Sequence, residues 1–281
     1  MLDSVTLQPK KNYILKVKIM FKYVLLIISL GVCQLYIAQT IDASGKKQGY
    51  WKKKDDKTNK LVYEGLFKDD KPQGLFRYYN INDSIKAKMN FVQDGKYAYA
   101  TLYHLNGKKM ATGKYMGEDK DSIWNYFDDR GILISQESFL KGKKNGKSYV
   151  YFPDGIVSEE YNFKNGLLDG VFKQYFDKKS IKGEGNYVNG QMEGKNAYYY
   201  PNGVTAAIGY YKNGSKNGPW VYKESSGKIK EKELYKLGGE LASKKETEEF
   251  FNKNKVPAEK QSEVKKDLKP SGAKPKTKGA K

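Results

Sequence analysis

His104 is the sole histidine of this 281-residue chain, and Cys33 is its sole cysteine. Those two facts remove most chemistry at once. A zinc set needs several His, Cys or carboxylate ligands, and a Ser or Cys nucleophile needs a His to take its proton. With one His and one Cys neither a His/Cys zinc set nor a Ser/His or Cys/His arrangement is expected, and His104, beside Tyr103, reads as a surface residue of a strand. Carboxylates are more plentiful, with neighbours at Asp55-Asp56, Asp69-Asp70, Asp128-Asp129 and Glu159-Glu160. Glycoside hydrolysis needs two carboxyls facing each other across a substrate-sized gap, which adjacency along the chain does not provide. Three of these pairs fall at or near predicted turns, where Asp is a turn former. The stretch GEGNYVNG at 183–190 has the wrong spacing for a phosphate loop, and no helix follows it. The chain therefore reads as non-catalytic, with no metal and no cofactor expected.

What remains is the surface chemistry of rings and lysines. The chain holds 24 Tyr, and aromatics make up 14% of it against only 38% apolar residues. A Tyr ring tolerates half-burial, so many partly exposed rings are expected. Flat exposed rings stack on sugar faces and on apolar side chains, which points to a glycan or protein partner. A formal net charge of +20 points to acidic partners or anionic surfaces. Lysine mixed with aromatics also resembles a single-strand nucleic-acid groove. The lysines, however, cluster in turns such as KGKKNGK at 141–147, where they discourage edge pairing and keep the protein soluble. Nucleic acid is not expected as a partner.

The elements that must position these rings follow from a repeat. The anchors are Gly49, Gly74, Ala98, Ser122, Gly146, Gly170, Gly194 and Gly218, spaced by 24 residues after a first step of 25. Seventeen residues after the anchors stand Phe91, Tyr115, Phe139, Phe163, Tyr187, Tyr211 and Tyr235, with Phe67 shifted by the one-residue insertion of the first repeat. Five after them come Tyr79, Tyr103, Phe127, Tyr151, Tyr175 and Tyr199. Between the aromatic runs lie two kinds of turn. One carries Asn106-Gly107, Asp154-Gly155, Asn202-Gly203 or Ser226-Gly227, and the other ends in the Asn-Gly of 164–166, 188–190 and 212–214. Such residues accept the positive φ of tight hairpins, and the runs between them read as strands. The predicted fold is all-β: an elongated, single-layer antiparallel sheet of eight hairpins over residues 45–241. At two strands per repeat it would reach roughly 80 Å.

Two-residue first turns would place positions two, four and seventeen of each repeat on one face and position five on the other. Position two then lies opposite position fifteen, where Gly113, Gly185 and Gly209 stand, and Phe172 is expected to shield Gly185. Both faces would carry aromatic ladders. The position-five residues form the candidate binding surface, with Tyr151, Tyr175 and Tyr199 at its centre. The anchors and the position-seventeen rings define the repeat structurally.

YEGLFKDDKPQGLFRYY at 63–79 resembles a MORN repeat, whose pattern is Tyr-x-Gly-x-aromatic, a turn, then Gly-x-aromatic. The later copies, with their Asn-Gly turns and 24-residue spacing, are similar to the bacterial variant of that repeat. The resemblance covers most of the chain and departs at Ala98, Ser122 and Lys179. It implies an interaction or scaffolding role, sometimes at membranes. An antitoxin-like role, neutralising a partner protein, is the alternative that the resemblance implies.

The two ends differ from the middle. MFKYVLLIISLGVCQLYIAQT, from Met20, has a basic start, an apolar stretch over 23–38 and small Ala38, the layout of a cleavable signal peptide. Residues 1–19 read as an upstream extension, leaving Met1 or Met20 as the start. LGVC loosely resembles a lipobox, but Val32 before Cys33 is too bulky, so a secreted or periplasmic chain is expected rather than a lipoprotein. Cleavage after Ala38 removes five lysines, one aspartate and the cysteine, leaving +16. Ser243 and Glu246 predict a capping box and a short helix within 242–256. Residues 257–281 read as a disordered Lys/Pro/Ala-rich tail, able to hold an anionic envelope surface.

Overall fold

The computed structural model describes residues 39–176 and 180–254. The expected signal peptide, Lys179 and the tail lie outside them. The strands fall into two compact units that part between Gln191 and Met192.

The first unit holds β1 (Thr40–Ile41), β2 (Lys47–Lys54), β3 (Leu61–Lys68), β4 (Lys71–Tyr79), β5 (Ile85–Val92), β6 (Tyr97–Tyr103) and β7 (Lys109–Met116). It continues with β8 (Asp119–Phe127), β9 (Leu133–Leu140), β10 (Lys143–Tyr151), β11 (Val157–Lys164), β12 (Leu167–Leu168), β13 (Gly170–Tyr175) and β14 (Ile181–Val188). A two-residue strand, β15 (Gln191–Met192), marks the boundary. The second unit holds β16 (Gly194–Tyr199), β17 (Thr205–Lys212), β18 (Ser215–Lys223), β19 (Ile229–Tyr235) and α1 (Lys244–Lys253). Within each unit consecutive strands pair antiparallel as an open sheet of hairpins. The one helix among the described residues is α1, started by Ser243 and Glu246 in a reciprocal capping box.

The 24-residue beat is written directly into the register. Every anchor stands opposite its position-seventeen ring: Gly49 opposite Phe67, Gly74 opposite Phe91, Ala98 opposite Tyr115 and Ser122 opposite Phe139. The series continues with Gly146 and Phe163, Gly170 and Tyr187, Gly194 and Tyr211, and Gly218 and Tyr235. The second turns are tight. Lys164 pairs with Leu167 across Asn165 and Gly166, whose φ of 52° and 91° are those of a type I′ turn.

The first turn departs from the two-residue expectation. Position five pairs with position eleven, as in Tyr199 with Thr205, after a one-residue bulge, and a five-residue loop closes the hairpin. Tyr103 and Lys109 enclose such a loop, in which Gly107 N–H donates to His104 O and His104 N–H donates to Lys108 O. Positions two, four and seventeen nevertheless share a face, because the bulge falls after position four.

A second bulge lies at the anchor, where the backbone takes positive φ and three residues oppose one. Repeat three spends its residues differently. Ala98 stays extended, β5 and β6 pair without a break, and Gln93–Lys96 make a four-residue turn in place of two. The period survives because the longer turn takes up what the missing bulge gives back. Ser122 instead keeps the bulge, at φ 61°.

Rings at position two build the core. Phe76, Trp124, Phe172 and Trp220 are buried. Each packs between rings of the position-seventeen series or their strand neighbours: Phe76 lies 5.1 Å from both Phe67 and Phe91, and Trp124 lies 4.8 Å from Tyr115. Phe172 and Gly185 are register partners, as the two-against-fifteen register predicts. Over Gly65, Gly113 and Gly209 the ring comes from the following repeat. A Cβ on Gly65 would lie 2.4 Å from Phe76, and one on Gly113 or Gly209 would lie 2.2 Å from Trp124 or Trp220. The anchor bulge swings the ring across that gap. Each glycine thus joins one hairpin to the next rather than closing its own.

Candidate binding face

The two faces of the sheet are chemically unlike. On the ring face, lysines two residues before the anchor lie over the aromatics. Lys47 Nζ sits 5.2 Å from the Trp51 ring and 5.0 Å from Phe67, and Lys144 sits 5.1 Å from Phe163. Lys120 covers Trp124, Tyr126 and Phe139 at 4.7, 5.1 and 5.2 Å and donates to the Tyr126 hydroxyl. Lys216 covers Trp220, Tyr222 and Tyr235 at 4.8, 5.3 and 4.9 Å. An ammonium over a ring face is attracted by its quadrupole, about 0.5–2 kcal/mol each. In these four repeats the chain's own cations cover the rings. Sequence reading missed this, since it assigned turn lysines to solubility; the signal was their recurrence two residues before the anchor, where only Pro72, Leu168 and Met192 depart.

The opposite face carries positions one, three and five of each repeat. Position five lies here, partly tied down. The Tyr79 hydroxyl donates to Glu64 Oε1 at 2.7 Å, and Arg77 and Lys52 approach the same carboxylate at 3.5 and 3.7 Å. That hydroxyl bond, ahead of the two cations, holds the Glu64 carboxyl below the usual range, while burial and the Glu64 charge push Tyr79 up to about 12. Tyr175 repeats the arrangement with Glu160 at 2.7 Å, and burial raises its phenol. Lys88 lies 5.7 Å over Tyr103, and Tyr151 stands 6.4 Å from Tyr149. Phe127 ends β8, and its carbonyl lies 3.0 Å from His104 Nε2. In the second unit Tyr199 is half-buried at the end of β16, opposite Thr205.

His104 thereby has a structural place. Tyr200, at the same point of its own repeat, donates its hydroxyl to Lys223 O at 2.9 Å, so both side chains staple one loop to the next. Among the described residues no cluster of three or more His, Cys, Asp or Glu could hold a metal ion. No helix of the described residues is long and apolar enough to cross a membrane, which says nothing of strands.

A second series on this face was not singled out from sequence. Position one places Leu75, Tyr99 and Ile123 outward at 42, 58 and 52% exposure, with Val171 at 52%. Neighbouring strands interleave them with polar side chains: Leu75 and Tyr99 both pair with Asn90, Tyr99 also with Lys114, Ile123 with Ser138, and Val171 with Asn186. Apolar groups thus recur every second strand, about 10 Å apart. The same 24-residue beat was their signal. In the second unit Tyr210 is similarly exposed, at 46%.

The family described as MORN repeat variant matches residues 144–165, 168–189 and 192–213. These are MORN-variant repeats. Each match begins near the residue two before the anchor and ends at its Asn in the second turn. MORN repeats of this kind suggest a repeat-based binding scaffold, and the hairpins on either side keep the same register. A comparison with curated proteins gave no match. Solved structures of the S. aureus TarM G117R mutant with Fondaparinux, alpha-GlcNAc-glycerol and UDP, and of TarM, overlap at 12% identity and a TM-score of 0.22. The overlap covers 43% of this chain and 19% of each of theirs, and the score is too low to indicate a shared fold.

Proposed function

We propose that the protein is a non-catalytic, exported scaffold that binds a protein or glycan at the cell envelope through the face opposite its caged rings. One observation carries this reading: rings such as Trp124 and Trp220 are buried and covered by the chain's own lysines, whereas the other face leaves Leu75, Tyr99 and Ile123 open. Isolated exposed apolar residues are ordinary, but a row at a fixed interval beside amides and hydroxyls offers a repeating contact. Position-five rings lie beside the row, and the hydroxyls of two of them, Tyr79 and Tyr175, are fixed by Glu64 and Glu160. The signal-peptide layout ending at Ala38 supports export, and the basic residues of 257–281 would add attraction to an anionic surface.

The test pairs location with binding. Mass spectrometry of the protein from fractionated cells should find a mature N-terminus at Gln39. Envelope proteins and glycans retained by the wild type should be lost by Leu75→Ser/Tyr99→Ser/Ile123→Ser, with the circular dichroism of the sheet kept. Equal retention by the triple variant, or an uncleaved cytoplasmic chain, sinks the reading.

A further inference from the structure

A sheet must end somewhere, and its first edge is treated unlike its last strand. At β19, Tyr235 bridges to Leu241, Ala242 N–H donates to Leu234 O at 2.8 Å, and α1 lies against the strand. Lys236 pairs with Glu246 at 3.0 Å there, and Lys232 sits 5.0 Å over Phe251. At β2 the cover among the described residues is two residues long. Thr40 pairs with Gln48 and Ile41 with Lys47, while Gly49–Lys54 pair with β3 on the inner side only. Among the described residues no strand lies on their outer side.

We propose that this outer edge, Gly49–Lys54, docks an extended acidic segment of a partner protein as an added antiparallel strand. An uncovered edge presents alternate N–H and C=O groups, the template for strand addition. β1 shows that this edge accepts an antiparallel strand and sets its direction. The side chains choose the occupant. Lys52, Lys53 and Lys54 are exposed in a row, and their local carboxylates do not match them: Glu64 stands 3.7 Å from Lys52 and Asp56 3.2 Å from Lys53, while Lys54 makes no ion pair among the described residues. Edge-to-edge pairing with a second copy would gather two such lysine runs into one short ribbon, and like charges repel there. An acidic segment meets the opposite situation. Next to the lysines stand Tyr50 and Trp51, whose indole is held by its bond to Gln48 O at 2.9 Å. In antiparallel order the best-fitting strand therefore reads three acidic residues, then two apolar ones.

A fluorescent peptide of sequence Glu-Glu-Glu-Val-Val-Thr, titrated into the full chain and followed by anisotropy and hydrogen exchange, tests this. Saturable binding is expected, with added protection confined to the amides of Gly49–Lys54, and no binding of the same peptide with Lys for Glu. Lys52→Glu/Lys53→Glu/Lys54→Glu should weaken binding about tenfold or more, and Lys54→Glu alone about threefold, since exposed pairs are individually small. Leu75→Ser/Tyr99→Ser/Ile123→Ser should bind the peptide as the wild type does, so this edge and the open face fail or stand separately. Absence of peptide binding, binding retained by the charge-reversed chain, or protection elsewhere in the sheet overturns the proposal.

Discussion

Trp124 and Trp220 sit in two cages that local sequence makes nearly identical and that their neighbours make different. In both, a Lys four residues earlier covers the indole, the indole N–H donates to a strand carbonyl at 3.1 Å, and a glycine of the preceding strand leaves room for the ring. In the first cage the position-seventeen ring is Phe139, and the position-fifteen carboxylate, Glu137, is taken at 2.7 Å by Lys144 of the following repeat. Lys120 is left with the Tyr126 hydroxyl, and burial, ahead of the Lys144 charge, pulls its ammonium below the usual lysine range. In the second cage the ring is Tyr235, and no following repeat supplies a lysine. Lys216 donates to the hydroxyls of Tyr222 and Tyr235 at 2.6 and 3.1 Å, with Glu233 at 3.9 Å. Burial still acts to lower its pKa, but the two hydroxyl bonds more than offset it and the value is raised. One repeat phrase thus yields a lysine of lowered pKa in mid-array and one of raised pKa at the last repeat.

The largest test removes the rings. Trp124→Ala and Trp220→Ala each empty a buried site and should destabilise by about 3–5 kcal/mol. Urea unfolding should show the Trp124 loss spreading to the strands on both sides and the Trp220 loss confined to the second unit, since stacked repeats stabilise neighbours. Equal, local effects would remove the contrast.

A smaller test exchanges the anchors. Ser122 holds φ 61° where Gly218 holds φ 70°, and an L side chain in that region costs about 1–2 kcal/mol. Ser122→Gly should therefore raise stability by about 1 kcal/mol, tempered by loss of the Ser122 hydroxyl bond to Asp121 at 2.9 Å, and Gly218→Ser should lower it by a similar amount. Thermal melts that fail to move in opposite directions would show that the bulge does not need the left-handed backbone.

The smallest effect is in pH. Lys120, lowered when folded, binds its proton less tightly than in the unfolded chain, so its contribution improves as pH rises toward the ordinary 10.5. Lys216, raised when folded, contributes fully below 10.5 and loses that contribution above it. Against Lys120→Met, the wild type should gain relative stability as pH rises toward 10.5; against Lys216→Met its advantage should stay flat and then shrink above 10.5. Parallel curves for the two variants would mean that the cages are electrically alike.

Much of this was legible in the chain. The 24-residue spacing, the Asn-Gly turns and the anchor with its position-seventeen ring are local or strictly periodic signals, and the register carries all of them. The open row of Leu75, Tyr99 and Ile123 was equally periodic but chemically bland, so it drew no notice beside the tyrosines.

Sequence by itself determined the hairpins, because a turn needing positive φ and the alternation of a strand are decided within a few residues. Only the tertiary structure decided which repeat supplies the ring over Gly113 and Gly209, that Ala98 trades a bulge for a longer turn, and that Lys120 and Lys216 differ. Those outcomes depend on what the adjacent strand brings within reach, and contact across strands is set by register rather than by any residue's own preference.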